Sequence, residues 1–104
     1  MAVNVVMNKD LCQVSVEGEM TIFAAQEIKA ALEEPISKAG EIEFDLSNVT
    51  EVDGAGLQIM LMAKMASIQS GIQLRFTGHS LPVLEVLDLT DLGSFFGDPV
   101  VIQA

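Results

Sequence analysis

The chain has one cysteine, three prolines and no tryptophan or tyrosine in its 104 residues. Cys12 alone cannot close an internal disulfide, so the sequence reads as an intracellular one whose fold does not depend on oxidation. With so little aromatic mass, the core has to come from Val, Ile, Leu, Met and Phe. Cations are scarce as well: five Lys and Arg stand against fifteen Asp and Glu, a formal net charge of −10. Phosphate backbones and anionic bilayers call for clustered cations, so neither a nucleic acid nor a membrane surface is an expected partner. The longest apolar run, Ile59–Ala63, is far too short to span a bilayer and Lys64 closes it, so no direct membrane insertion is expected. The first residues do not join a basic segment to an apolar run as a secretion signal does. Together these features point to a cytoplasmic protein.

What is present is an ordinary globular composition, with 50% hydrophobic residues. Size scaling has a chain of this mass bury about 65% of its open surface, enough for one domain over residues 1–104. The acids are unevenly spread. Between Lys38 and Lys64 every charge is negative, from Glu41, Glu43, Asp45, Glu51 and Asp53, and no Lys or Arg follows Arg75. Such regions would steer a basic partner surface, although acidity also serves solubility alone.

Catalytic candidates are sparse. His79 in a Gly-His-Ser loop is the only histidine, and Cys12 belongs to the apolar phase of a different element. A nucleophile needs a base within hydrogen-bond reach, and zinc needs three or four Cys or His ligands. The carboxylates alternate outward on strands or stand alone in turns, without the spacing of a calcium loop. No catalytic residue, metal or cofactor is expected, and the chain reads as a non-enzymatic one.

Hydrophobic periodicity divides the chain into short alternating pieces. Val3, Val5 and Met7 predict a strand, and Asn8-Lys9-Asp10 a turn. Cys12, Val14 and Val16 predict a half-buried strand that Gly18 ends. Thr21 is placed to cap a helix over Ile22–Glu34, with Pro35 as its stop. Ile42, Phe44 and Leu46 alternate with acids, and Ser47–Gly56 reads as turn. A second helix is expected over Ala55–Ser70 with Gly71 after it, then a strand through Ile72, Leu74 and Phe76. A short helix over Leu81–Leu87 and a last apolar run, Val100–Ile102, complete the order.

Strands covered on both faces read as continuous apolar runs, and these alternate instead. The expected fold class is therefore α/β, a mixed β-sheet with helices packed on one face. The piece from Ile42 to Thr77 supplies one parallel crossover, and the opening hairpin supplies antiparallel pairing. The second helix is unusual in carrying two apolar stripes. One is Leu57, Leu61, Met65 and Ile68; the other is Ile59, Met62, Ala63 and Ala66. One stripe suffices for a sheet, so the other meets flanking helices or a partner. Met60, Met62 and Met65 suit an adaptable contact surface, and equally a core.

Asp53-Gly54-Ala55-Gly56 follows a strand and opens a helix, as a phosphate-binding loop does. The match is poor. Ile59 stands where a dinucleotide motif has a small residue, no acid follows at the ribose spacing, and there is no Gly-Lys-Ser/Thr.

The whole segment Asp45-Leu46-Ser47-Asn48-Val49-Thr50-Glu51-Val52-Asp53-Gly54-Ala55-Gly56-Leu57 resembles the signature of the STAS domain, the module of sulfate transporters and anti-sigma factor antagonists. The family pattern runs Asp-x-Ser-x-Val-x-x-Ile/Val-Asp-Ser-Ser/Ala-Gly-Leu. It departs at one fixed position, where Gly54 replaces the hydroxyl residue that a partner kinase phosphorylates in those antagonists. The resemblance implies a mixed sheet with helices on one face, and a protein partner docked around the signature turn and the following helix. Carried over to this chain, that surface is Asp53, Gly54, Ala55, Gly56, Gln58, Met62 and Met65. Asp53 also suits a helix cap, Gly56 close packing, and Leu57 the core. Gly54 leaves the usual switch without an acceptor, and Ser47 and Thr50 are alternative phosphorylation positions. The partner implied is a histidine-kinase-like anti-sigma factor or, from the tail's likeness to stand-alone STAS proteins beside chemotaxis genes, a chemotaxis-type signalling protein. An accessory subunit of a membrane lipid-transport ATPase and a small-ligand or nucleotide sensor are the alternatives.

Overall fold

The computed structural model describes residues 2–92 and Phe96. Strand β2 (Leu11–Met20) organises the rest. Strand β1 (Ala2–Asn8) pairs with it antiparallel through the two-residue turn at Lys9 and Asp10. On β2, Cys12, Val14 and Val16 are fully buried, while Gln13 and Glu17 are exposed. The sequence reading ended this strand at Gly18; instead the strand continues through it. Gly18 sits at φ 94°, where a residue without Cβ is at ease, and the register shifts there. Over Leu11–Ser15 β2 pairs in parallel with β3 (Glu41–Asp45), and over Gly18–Met20 with β4 (Val49–Val52). Strand β5 (Gln73–Thr77) lies parallel on the other side of β3, and the path through the sheet is β1-β2-β3-β5 with β4 on β2. The mixed sheet is as expected.

Helix α1 covers Ala25–Lys38, α2 Gly54–Gln69 and α3 Leu81–Thr90. Their buried residues join one core with the inward phase of the strands: Ile28 and Leu32 from α1, Ile59 and Met60 from α2, Val83 and Leu87 from α3. Phe44 stacks obliquely on Phe76, and Phe76 meets Phe96 edge to face, both at 5.3 Å between ring centres. The other phase of the sheet is polar. Arg75 there bridges Glu41 and Glu43 of the neighbouring strand, the latter at 3.1 Å.

Other boundaries also differ from those expected. Helix α1 begins at Ala25 and runs through Pro35, because Thr21 is buried in a preceding turn in which the Ala24 N–H donates to its carbonyl. Pro35 stands in the last turn, where its ring is buried, and the helix closes with the Ala39 N–H on the Pro35 carbonyl. The stretch 47–56 is not all turn, since β4 lies within it. Helix α3 reaches Thr90, where Asp91 in the left-handed region ends it. The apolar run Val100–Ile102 lies outside the described residues.

Candidate functional site

The signature segment lies between β3 and α2, and its polar groups hold it rigidly. The Asp45 carboxylate accepts from the Ser47 N–H at 2.9 Å, an Asx turn that makes Ser47 a turn former with its side chain exposed. Gly78, at φ 63°, comes so close that a Cβ would lie 2.6 Å from that carboxylate. After β4, on which Thr50 is exposed, Asp53 caps α2 from an extended backbone. Its Oδ1 accepts from the Gly56 N–H at 2.9 Å, and its Oδ2 accepts from the Ile22 N–H at 3.3 Å. One carboxylate thus closes the helix N-terminus and ties the 21–24 turn to it. The Gly56 N–H, helped by that of Ile22, holds the Asp53 pKa below the ordinary carboxylate range against a smaller opposing effect of desolvation.

The two glycines after Asp53 do different work. Gly56 is buried, and a Cβ there would stand 2.0 Å from the Met20 carbonyl oxygen. It lets the first turn of α2 rest on the end of β2, so it underlies the turn instead of presenting surface. Gly54 is exposed, has a negative φ, and a Cβ on it would meet nothing within 4 Å. No backbone or packing reason requires glycine at 54.

Helix α2 turns Gly56, Ile59, Met60, Ala63 and Ser67 inward. The expected stripes are therefore redrawn. Met60, assigned to neither, is buried at the centre of the inner face. Ile59 and Ala63 of the second stripe go inward, whereas Met65 and Ile68 of the first are exposed. The outer face of α2 is Gly54, Gln58, Met62, Met65 and Gln69, with Met62 46% and Met65 53% exposed. The helix has one charged residue, Lys64, whose Nζ donates to the Leu74 carbonyl at 2.6 Å. The outer face is therefore uncharged along its length.

Sequence reasoning missed the neighbour of this face. Tied by Asp53, the 21–24 turn projects Phe23 at 95% exposure beside Ile22. Ile22 and Ala25 join Ala55, Gln58, Ile59 and Met62 around a groove of about 380 Å³ between the turn and α2. Periodicity hid both residues, because Ile22 and Phe23 fit the apolar phase of a helix that in fact starts later. The structure brings Asp53, Gly54, Ala55, Gln58, Met62 and Met65 onto or beside one continuous surface, with Gly56 beneath it. Among the described residues, no group of three or more His, Cys, Asp or Glu side chains is placed to hold a metal, and no helix is long and apolar enough to cross a membrane.

A mixed sheet with helices on one face, joined by a signature turn that caps a helix with an uncharged outer face, places the chain among small mixed-sheet α/β domains. The chain belongs to the STAS domain family: the family model described as "Mlab, STAS domain" matches residues 3–101. Solved structures agree on the fold. A putative anti-sigma factor antagonist from Thermotoga maritima superposes with a TM-score of 0.82 at 20% identity, covering 96% of this chain and 87% of that one. The Bacillus cell fate determinant SpoIIAA in its phosphorylated form gives 0.73 at 17% identity, over 95% and 92%. A sulfate transporter family protein from Wolinella succinogenes gives 0.75 at 15% identity, over 88% and 75%. No curated protein matched the chain in a sequence comparison.

Proposed function

We propose that this STAS domain is a non-enzymatic regulatory module that docks a protein partner on the outer face of α2 and the turns at its N-terminus. The observation carrying the reading is that uncharged face, bordered by a groove that Ile22, next to the exposed Phe23, lines together with Lys29 of α1. On a chain of net charge −10, a helix face without a charge is not there for solubility. Exposed methionines adapt to a partner's shape, and a projecting phenylalanine suits a pocket. The partner class is a histidine-kinase-like anti-sigma factor, in keeping with antagonists of the same fold, or, on the likeness of the tail sequence alone, a chemotaxis-type signalling protein.

With Gly54 where the family carries its acceptor, the domain stays in its binding form. A phosphoryl group there would add nearly two negative charges beside the Asp53 carboxylate. Asp53 also argues against a phosphate-binding turn: its carboxylate already occupies the Gly56 N–H and would repel an anion.

The test is affinity capture from the native cell with wild type and Gly54→Asp, followed by identification of the bound proteins. The open space at 54 means that the variant adds charge without a clash. A kinase-like or chemotaxis protein held by wild type and lost by Gly54→Asp supports the reading. An ATPase held by both makes the domain a transport subunit, for which the transporter-family neighbour offers a precedent in fold. Capture of nothing by either overturns the reading.

A further inference from the structure

A second surface lies at the far edge of the sheet. Strand β1 is an edge strand, and among the described residues nothing pairs its outer side. Exposed edges are usually guarded by lysine, proline, a bulge or short length. This one has none of these: Ala2–Asn8 is seven residues long, contains no charge and no proline, and pairs with β2 in unbroken register. Val5, Val6 and Met7 are 40%, 56% and 50% exposed, so apolar surface stands on both faces of the strand.

The hairpin fixes which backbone groups are free. Across a two-residue turn the flanking residues, here Asn8 and Leu11, exchange both hydrogen bonds, and bonded pairs then alternate along an antiparallel ladder. The N–H and C=O groups of Val3, Val5 and Met7 therefore point away from β2. That set is symmetric about Val5. An antiparallel copy related by a two-fold axis at Val5 would set Val5 against Val5 and Val3 against Met7, and would satisfy every outward group between the first and last. The same three side chains share the phase of Cys12, Val14 and Val16, which faces the helices. Beneath them, Val5 and Met7 line a groove of about 290 Å³ with Ala30, Ala31 and Pro35 of α1. Its charged members are Glu34 and Lys38, which bridge each other at 3.2 Å within one chain. Opposite charges side by side are self-complementary under a two-fold axis, since Lys38 of either copy can face Glu34 of the other.

We propose that β1 is a homodimerisation edge, at which two copies of this chain join their sheets antiparallel about Val5. The proposal does not rest on the partner surface of α2, and leaves that surface free on both copies. Pairing is isologous and stops at two. The charge of −10 on each copy opposes it, so association strengthens as salt screens that repulsion.

Sedimentation velocity of the full chain, over a concentration series at low and high salt, is the test. The expected result is a reversible step from 11.1 kDa to twice that mass, at lower concentration in high salt. Val5→Pro removes an outward N–H without touching the β1–β2 ladder, and proline is tolerated at such a position. It should remain folded by circular dichroism and lose the dimer. Val5→Lys, which guards the edge by charge, should do the same and serves if the proline variant does not fold. A wild type that stays at 11.1 kDa to its solubility limit overturns the proposal, and leaves the edge to a strand of another protein. A dimer that survives in a folded Val5 variant also overturns it.

Discussion

Helices α1 and α2 lie side by side on the same face of the sheet, yet they treat solvent in opposite ways. Helix α1 turns Ile28 and Leu32 inward and sets Gln26, Glu27, Lys29, Glu33 and Glu34 in water. Helix α2 is equally well buried on its inner face, but its outer face is glutamine, methionine and glycine, and its lone cation is anchored to the Leu74 carbonyl. Burial accounts for every apolar residue of α1's inner face and leaves those on the outside of α2 unexplained. The comparison teaches that an apolar residue on a helix is evidence of a core only after the packing has been seen.

The sharpest break between the two helices comes from truncation. Ile28→Ala empties a fully buried site, and should cost about 2–5 kcal/mol in chemical denaturation. Met65→Ala, on the outer face of α2, should stay within about 0.5 kcal/mol of wild type and weaken partner binding instead. A large stability loss for Met65→Ala would mean that this face is core after all.

Next in size is the pair of glycines. Gly56→Ala forces a methyl group onto the Met20 carbonyl, which cannot give way as a flexible side chain would, and should lose about 1–3 kcal/mol or more. Gly54→Ala should leave thermal stability unchanged or raise it by up to about 1 kcal/mol, through a stiffer unfolded chain. Equal effects at the two positions would erase the distinction drawn between them.

A smaller effect concerns the clamp. Because the folded pKa of Asp53 is depressed, its contribution to stability is complete above the unfolded value of about 3.9, and is lost as pH falls through the lower folded value. Asp53→Asn should therefore flatten the acid limb of the stability profile, with little difference between the two proteins at the lowest pH. The smallest expected effect is on Phe23→Ala, which should leave the denaturation midpoint in place while reducing capture of the partner. Stability unchanged and capture unchanged would remove the 21–24 turn from the surface.

Much of this arrangement was legible in the sequence. Alternation in Cys12-Val14-Val16, in Ile42-Phe44-Leu46 and in Leu74-Phe76 identified the strands and the single helical face, because a half-covered sheet writes its two environments into a two-residue period. The start of α2, expected at Ala55, lies one residue earlier at Gly54. Three features escaped for physical reasons. Strand β4 is four residues long, does not alternate in burial, and has a register shift against β2 that leaves Thr50 without a partner in the ladder. Gly18 and Pro35 read as breakers, but a bulge and a last helical turn tolerate them. The prominence of Phe23 depends on the Asp53–Ile22 hydrogen bond across 31 residues, and no local pattern encodes it.

The empty space around Gly54 bears on heredity as well as on binding. Some glycine codons become serine codons by a single base change, and at this position the new side chain would meet no neighbour within 4 Å. Where the codon is one of these, the passage between a chain without a hydroxyl here and one that carries it is a step of one nucleotide, and the added Cβ meets no clash. An engineer wishing to install such a handle at 54 need alter nothing around it to make room.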